Sequence, residues 1–127
     1  MEGVLLDTHA FLWWCEGSSE LSRKAHQTIS QTESYVSLAS LWEIAIKLSL
    51  GKLKLPASFD RYIPEQIQVN GFSRLEIGFR HLAGCAALPW HHRDPFDRLL
   101  AAQAIEEGLT MVSRDKVFSR YGVPRIW

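Results

Sequence analysis

Four carboxylates in this chain stand where their surroundings do not ask for a charge. Asp7 ends the apolar run Val4-Leu5-Leu6, Glu43 lies in SLWEIAIK, Asp97 in HRDPFDRLL and Asp115 in VSRDKVF. Each also has a purely local reading. Asp7 or Thr8 can cap a helix that starts near His9. Ser40 and Glu43 match an S-x-x-E capping box, and Asp94 reads as an N-cap with Pro95 at the first helical position and Asp97 in the first turn. Ser113 can cap the last helix while Asp115 favours its dipole. Four carboxylates gathered in one crevice would repel at about 3 kcal/mol for each pair about 6 Å apart in an effective dielectric near 20, so stability gives no reason to collect them. Hard cations do, because Mg²⁺ and Mn²⁺ prefer carboxylate and water oxygens to imidazole or thiolate. Bound metal polarises a phosphoryl oxygen, generates hydroxide at neutral pH and stabilises a leaving oxygen, and phosphodiester hydrolysis is the natural chemistry of such a site.

The elements that would position these acids follow from the hydrophobic pattern. Strand-like apolar runs alternate with stretches of helical period, which indicates β/α units and a parallel sheet. Strands are predicted near residues 3–7, 34–37, 72–76, 109–112 and 123–126. Helices are predicted at 9–15, 21–32, 38–50, 59–69, 78–87 and 95–107, with a short helical turn near 114–120. Leu38, Leu41, Trp42, Ala45, Ile46 and Leu48 recur at three- and four-residue spacing, with Glu43 and Lys47 one turn apart on another face. Gly51 and Gly108 read as helix stops. In an open parallel sheet, ligands sit outside the carboxyl ends of the strands. Asp7 and Asp115 follow strands immediately, and Glu43 lies on a helix entered straight from one, so these three should share a rim. Asp97 opens a helix with no strand just before it, and topology does not bring it there.

Composition excludes several classes. With 127 residues, 46% of them hydrophobic and 22% charged, residues 1–127 are expected to form one soluble domain. No run approaches the roughly 20 apolar residues of a membrane span, and the first residues lack a signal-peptide layout, so a cytoplasmic protein is expected. Fourteen basic and fourteen acidic residues leave no net charge, hence no general field for gripping nucleic acid. Cys15 and Cys85 form no CxxC pair and read as buried thiols. His91-His92 reads as a loop pair rather than a metal site. Trp13, Trp14 and Trp42 read as packing residues ahead of base-stacking platforms.

In this order, and in a chain of this length, Asp7 in LLDTH, Glu43 in SLWEIAIK, Asp97 in DPFDRLLAAQA and Asp115 in VSRD resemble the PIN-domain ribonucleases, and more closely the VapC-type toxins of type II toxin-antitoxin pairs. The likeness runs from Asp7 to the terminal VPRIW, and the phrases DTHAFLWW and HRDPFDRLLAAQA strengthen it. It implies a three-layer α/β/α sandwich around a central parallel sheet of order 3-2-1-4-5. It implies an endoribonuclease dependent on Mg²⁺ or Mn²⁺ that leaves 5′-phosphate and 3′-hydroxyl ends, with tRNA the family-level substrate. A homodimer is implied too, together with a cognate antitoxin whose C-terminal segment lies across the site.

Carried over residue by residue, Asp7, Glu43, Asp97 and Asp115 form the acidic quartet. Asp7 and Asp97 are the first choices as direct metal ligands; Glu43 and Asp115 would ligate directly or through water, and one could orient the attacking water. Ser113, and more weakly Thr8, would position metal-bound water, while Asp94 keeps its reading as an N-cap. Lys47, Lys52, Lys54, Arg93, Arg98, Arg114 and Lys116 flank the acids and could contact RNA phosphates. Two other classes stay open. A receiver-like or haloacid-dehalogenase-like phosphotransfer domain also places an Asp after its first strand, but the latter needs a second Asp where this chain has His9. A non-catalytic interaction module would use the same acids only as caps.

Overall fold

The computed structural model describes residues 2–127, and among these five strands alternate with seven helices. The strands are β1 (Val4–Leu6), β2 (Ser34–Ser37), β3 (Ser73–Leu75), β4 (Thr110–Val112) and β5 (Arg125–Ile126). The helices are α1 (Thr8–Glu16), α2 (Arg23–Gln31), α3 (Leu38–Ser49), α4 (Phe59–Val69), α5 (Phe79–Ala87), α6 (Pro95–Glu107) and α7 (Val117–Arg120). All strand pairs are parallel, in the order β3-β2-β1-β4-β5. This is the three-layer sandwich and strand order that the resemblance implied.

Alternation along the strands builds the two outer layers. Val4, Leu6, Val36 and Val112 point to one face, where they pack with Phe11, Ile29, Leu41, Ile44 and Ile63 of α1 to α4. Leu5 and Met111 point to the other, against Leu100, Ala101, Ala104 and Phe118 of α6 and α7. Each fully buried Leu or Phe contributes roughly 1.5–3 kcal/mol, so this two-sided core fixes the strand register that everything at the rim depends on.

Most predicted elements are present with ends shifted by one to three residues, and capping chemistry explains the shifts. Ser22 accepts from Ala25 N–H and starts α2 at Arg23. Gly108 ends α6 in the left-handed region at φ 66°, and Gly51, at φ 70°, follows the last residues of α3. Pro124 has no N–H to give, and its carbonyl accepts from Met111 N–H, so β5 begins only at Arg125. One expectation is corrected. The Ser40/Glu43 capping box does not form, because Ser37 caps α3 by accepting from Ala39 N–H and leaves Glu43 in the second turn. The apolar stripe of α3 is not wholly buried: Leu41 and Ile44 face the core, whereas Trp42 is 59% exposed beside an apolar groove between α3 and α4.

Candidate active site

The register of the sheet explains why Asp7 and Ser113 meet. β1 and β4 pair with Leu6 opposite Val112, and Asp7 N–H continues the ladder to Val112 O at 3.2 Å. The next residue on each strand is then Asp7 on one side and Ser113 on the other, 106 positions apart in sequence. The Ser113 hydroxyl donates to Asp7 Oδ2 at 2.5 Å and accepts from Asp115 N–H at 3.0 Å. Asp7 Oδ1 accepts from Ala10 N–H at 2.8 Å, which makes Asp7 the N-cap of α1. Asp7 is therefore both cap and rim carboxylate, and the two readings of it do not compete.

Glu43 reaches the same place from α3. Its Oε1 accepts from the Thr8 hydroxyl at 2.7 Å and its Oε2 pairs with Lys47 Nζ at 2.9 Å, one turn along the helix. Asp94 caps α6 by accepting from Phe96 N–H and Asp97 N–H at 2.9 and 3.0 Å. Asp97, in the first turn of α6, has one side-chain partner, His92 Nε2, at 3.1 Å from Oδ2. Asp115 Oδ1 accepts from Val117 N–H at 2.9 Å.

These side chains line a single cavity of about 310 Å³: Asp7, Thr8, Glu43, Asp94, Asp97 and Asp115, with His9, Trp13, Lys47 and Arg114 at its edge. Five carboxylates thus face two cations in a chain whose total charge is zero. Two of the acids are shifted, chiefly by burial. Burial pushes Asp7 above the ordinary carboxylate range, against the pull of its bonds to Ser113 and Ala10. Asp97 is pushed up to about 7, by burial first and then by Asp94 and Asp7, with His92 pulling the other way. Carboxylates that resist ionising where they sit, and that offer only hard oxygen donors, fit a bound divalent cation.

Of the basic residues, Lys47 and Arg114 lie at the cavity. Arg114 is held over the Trp13 ring, 4.7 Å from its centroid, by Glu20 at 2.8 Å. Lys52, Lys54, Arg93 and Lys116 are exposed and do not line the cavity. Arg98 must be withdrawn as a phosphate contact. It is 5% exposed and stacks on Trp90, while its guanidinium donates to the carbonyls of Cys85, Leu88 and Pro89 and to the Tyr121 hydroxyl. Its donors are spent on the loop that precedes α6. Trp14 packs on Phe72 and donates to Asn70, whereas Trp42 meets Phe96 edge-on.

The two adjacent histidines part company. His91 packs on the Tyr121 ring, and His92 turns to Asp97. Its nearness to Asp97 was readable only in outline: residue 92 precedes the N-cap Asp94 by two, where a chain entering a helix can fold back on the first turn.

A PIN domain family model matches residues 4–124. The chain is 29% identical over 129 residues to "Ribonuclease VapC22" of Mycobacterium tuberculosis (strain ATCC 25618 / H37Rv), covering 98% of this chain and 96% of the relative. Among solved structures it resembles VapBC2 from Rickettsia felis bound to a promoter DNA fragment, with TM-score 0.71, 13% identity and 97% and 96% of the two chains covered. It also resembles FitAcB from Neisseria gonorrhoeae, with TM-score 0.70, 17% identity and 98% and 96% covered. No helix among the described residues is long and apolar enough to cross a membrane.

Proposed function

The chain belongs to the PIN-domain family, and from that membership we propose that it is a divalent-metal-dependent endoribonuclease, acting in the cytoplasm as the toxin of a type II toxin-antitoxin pair. The observation that carries this reading is the gathering of Asp7, Glu43, Asp94, Asp97 and Asp115 on one cavity with only Lys47 and Arg114 to balance them. The mycobacterial relative, named as a ribonuclease, supports RNA as substrate, with tRNA the family-level choice. The likeness of the fold to a toxin-antitoxin complex from Klebsiella pneumoniae supports an antitoxin partner that covers the cavity, and the family resemblance adds a hetero-oligomer built on a toxin homodimer. On this reading residues 1–127 act as one PIN domain.

Asp7 and Asp97 would hold Mg²⁺ or Mn²⁺ directly, with Glu43 and Asp115 completing the set directly or through water. When bound, such a cation polarises the scissile phosphoryl group and makes water nucleophilic at neutral pH. The chain's own groups do the rest. Ser113 fixes the Asp7 carboxylate from the neighbouring strand, and Thr8 and Lys47 fix both oxygens of Glu43. Lys47 and Arg114 stand where flanking phosphates would enter, and they position RNA without reading its sequence. In the hydrolysis a water oxygen bonds to phosphorus and the bond from phosphorus to the 3′-oxygen breaks. A rim carboxylate takes the water proton, the departing 3′-oxygen takes a proton from solvent, and the products are a 5′-phosphate and a 3′-hydroxyl. Neither cysteine lines the cavity, and Cys15 is half-buried against the core, where burial pushes its thiol up to about 12.

The test is cleavage of a tRNA pool by purified protein with Mn²⁺ or Mg²⁺, with EDTA, and with Asp7→Asn protein prepared in parallel. Cleavage that needs the metal and vanishes in the variant is expected. Equal cleavage in EDTA by the parent, absent from the variant, would overturn the metal mechanism. Cleavage retained in the variant would overturn the site.

A further inference from the structure

Asp97 and Asp115 are the rim carboxylates with the least help, one bond each, and Asp115 takes its bond from a backbone N–H of its own turn whereas Asp97 depends on a side chain from outside its helix. Asp7, Glu43 and Asp94 each receive two hydrogen bonds or ion contacts at their side-chain oxygens, whereas among the described residues Asp97 receives one, from His92 Nε2. Asp94 and Asp7 both oppose its ionisation. Nothing on α6 itself fixes the rotamer of the Asp97 side chain, so its aim into the cavity depends on a residue outside the helix.

That residue is itself held. His92 N–H donates to the Tyr121 hydroxyl at 3.0 Å. Arg98 Nη1 donates to the same hydroxyl at 3.3 Å, and the His91 ring packs on Tyr121. The loop 88–94 is thereby tied at Leu88 and Pro89 through Arg98 and at residues 91 and 92 through Tyr121. His92 ends this chain of contacts with one third of its side chain exposed, facing Asp97.

We propose that His92 is a positioning residue of the cation site: its Nε2–H takes up Asp97 Oδ2 and leaves Oδ1 turned to the cavity for the metal. Ligand carboxylates are commonly oriented by such donors, and their loss weakens metal affinity about 10–100-fold. The inference rests on the reading that Asp97 holds a divalent cation. His92, Asp94 and Asp97 do offer three ligand atoms within 4.8 Å of one another. A ligating imidazole, however, would have to turn Nε2 away from the carboxylate it now meets at hydrogen-bond distance.

Two near-isosteres separate these roles. Gln carries an amide N–H near the position of Nε2, whereas the shorter Asn carries one near Nδ1 and cannot reach Asp97. Mn²⁺ alone is titrated calorimetrically into the full, metal-free chain as parent, His92→Gln, His92→Asn and Asp97→Asn, and each metal-free protein is melted. The expected result is Mn²⁺ binding within about threefold of the parent for Gln and about 10–100-fold weaker for Asn, with equal metal-free melting temperatures. Parental binding by the Asn variant overturns the proposal. Equal weakening in both variants assigns a direct imidazole ligand and overturns it too. A fall in metal-free melting temperature that tracks the loss of Mn²⁺ binding would make His92 a merely structural residue. Parental binding by Asp97→Asn would remove the cation from Asp97, so the reading beneath the inference fails, and that outcome is distinct from the other three.

Discussion

Asp7 and Asp115 are carried to the crevice by strands paired in register, whereas Asp94 and Asp97 arrive on a helix that follows the irregular segment 88–94. On the strand rim the backbone does the placing. Once Leu6 opposes Val112, Asp7 and Ser113 have no choice but to be neighbours, and one hydroxyl then links Asp7 to the Asp115 backbone. On the loop rim side chains do it. Arg98 gathers three carbonyls, Tyr121 joins Arg98 to His92, and His92 faces Asp97. A rim set by sheet register fails only when the core fails, while a rim set by side chains can be moved by one substitution far from the acids.

The largest expected effects treat the rims alike. Asp7→Asn and Asp97→Asn should each abolish metal-dependent RNA cleavage and most of the rise in melting temperature that Mn²⁺ produces. Metal-free, neither should be destabilised at neutral pH by more than about 1 kcal/mol, since Asn still caps α1 and both changes relieve repulsion. Cleavage assays beside calorimetry with and without Mn²⁺ check this, and a clear cleavage difference between the two variants would show that one rim dominates.

Arg98→Met separates the rims. Met fills much of the same space but leaves the carbonyls of Leu88 and Pro89 without their donor, while Cys85 keeps Leu88 N–H, at a cost of about 2–4 kcal/mol in metal-free stability by denaturant unfolding. The strand rim should be untouched, so hydrogen exchange should rise in 85–94 and not in β1 or β4. Uniform loosening of both would break the comparison.

The same contrast explains how much was legible. The burial of β1 and the arrival of Asp7, Glu43 and Asp115 at one rim follow from β/α alternation and from where strands end, whereas the sheet order came only with the family resemblance. The arrival of Asp97 did not follow, because a helix after a loop can point anywhere until its packing is known. Arg98 was misread for a related reason: an arginine beside acidic residues suggests phosphate, and only burial reveals that its fork serves loop carbonyls. Glu43 was read as half of a capping box because S-x-x-E is visible in sequence, whereas Ser37, three residues earlier, is the residue at the strand-to-helix turn and takes the cap.

pH should sharpen the contrast next. Asp97 is raised from its ordinary 3.8 to about 7. The folded, metal-free protein therefore binds more protons than the unfolded chain between about pH 4 and pH 7, and this contribution to stability is full below pH 4 and lost as pH rises through 7. Asp7 is raised as well and adds in the same direction. Bound metal needs the ionised acids, so the Mn²⁺-induced rise in melting temperature should grow over the same interval. Asp97→Asn should flatten most of the metal-free decline. Melting at pH 5, 6, 7 and 8 measures it, and a slope unchanged in that variant would place the titration elsewhere.

The smallest stability effect belongs to Glu43, which sits between the rims: Thr8, next to Asp7, holds one oxygen, and Lys47 on its own helix holds the other. Glu43→Gln keeps an oxygen for the Thr8 hydroxyl and loses only the ion pair with a partly exposed lysine. Since Ser37 caps α3, no cap is lost either. Pairs of this kind on a helix are worth about 0.3–0.5 kcal/mol, so the metal-free variant should lose no more than ~0.5 kcal/mol, and relieved repulsion with Asp7 and Asp97 offsets part of that. A bound cation changes the balance. If Glu43 joins the two rims around a metal, its loss weakens Mn²⁺ binding, and the metal-induced stabilisation shrinks because it scales with RT ln(1 + [L]/Kd). Most cleavage should be lost at unchanged fold. Calorimetry with and without Mn²⁺ and an RNA cleavage assay on the same preparation measure all three quantities. Parental cleavage with parental metal-induced stabilisation would leave Glu43 as a strut between Thr8 and Lys47, and the site would then consist of the strand rim and the loop rim alone.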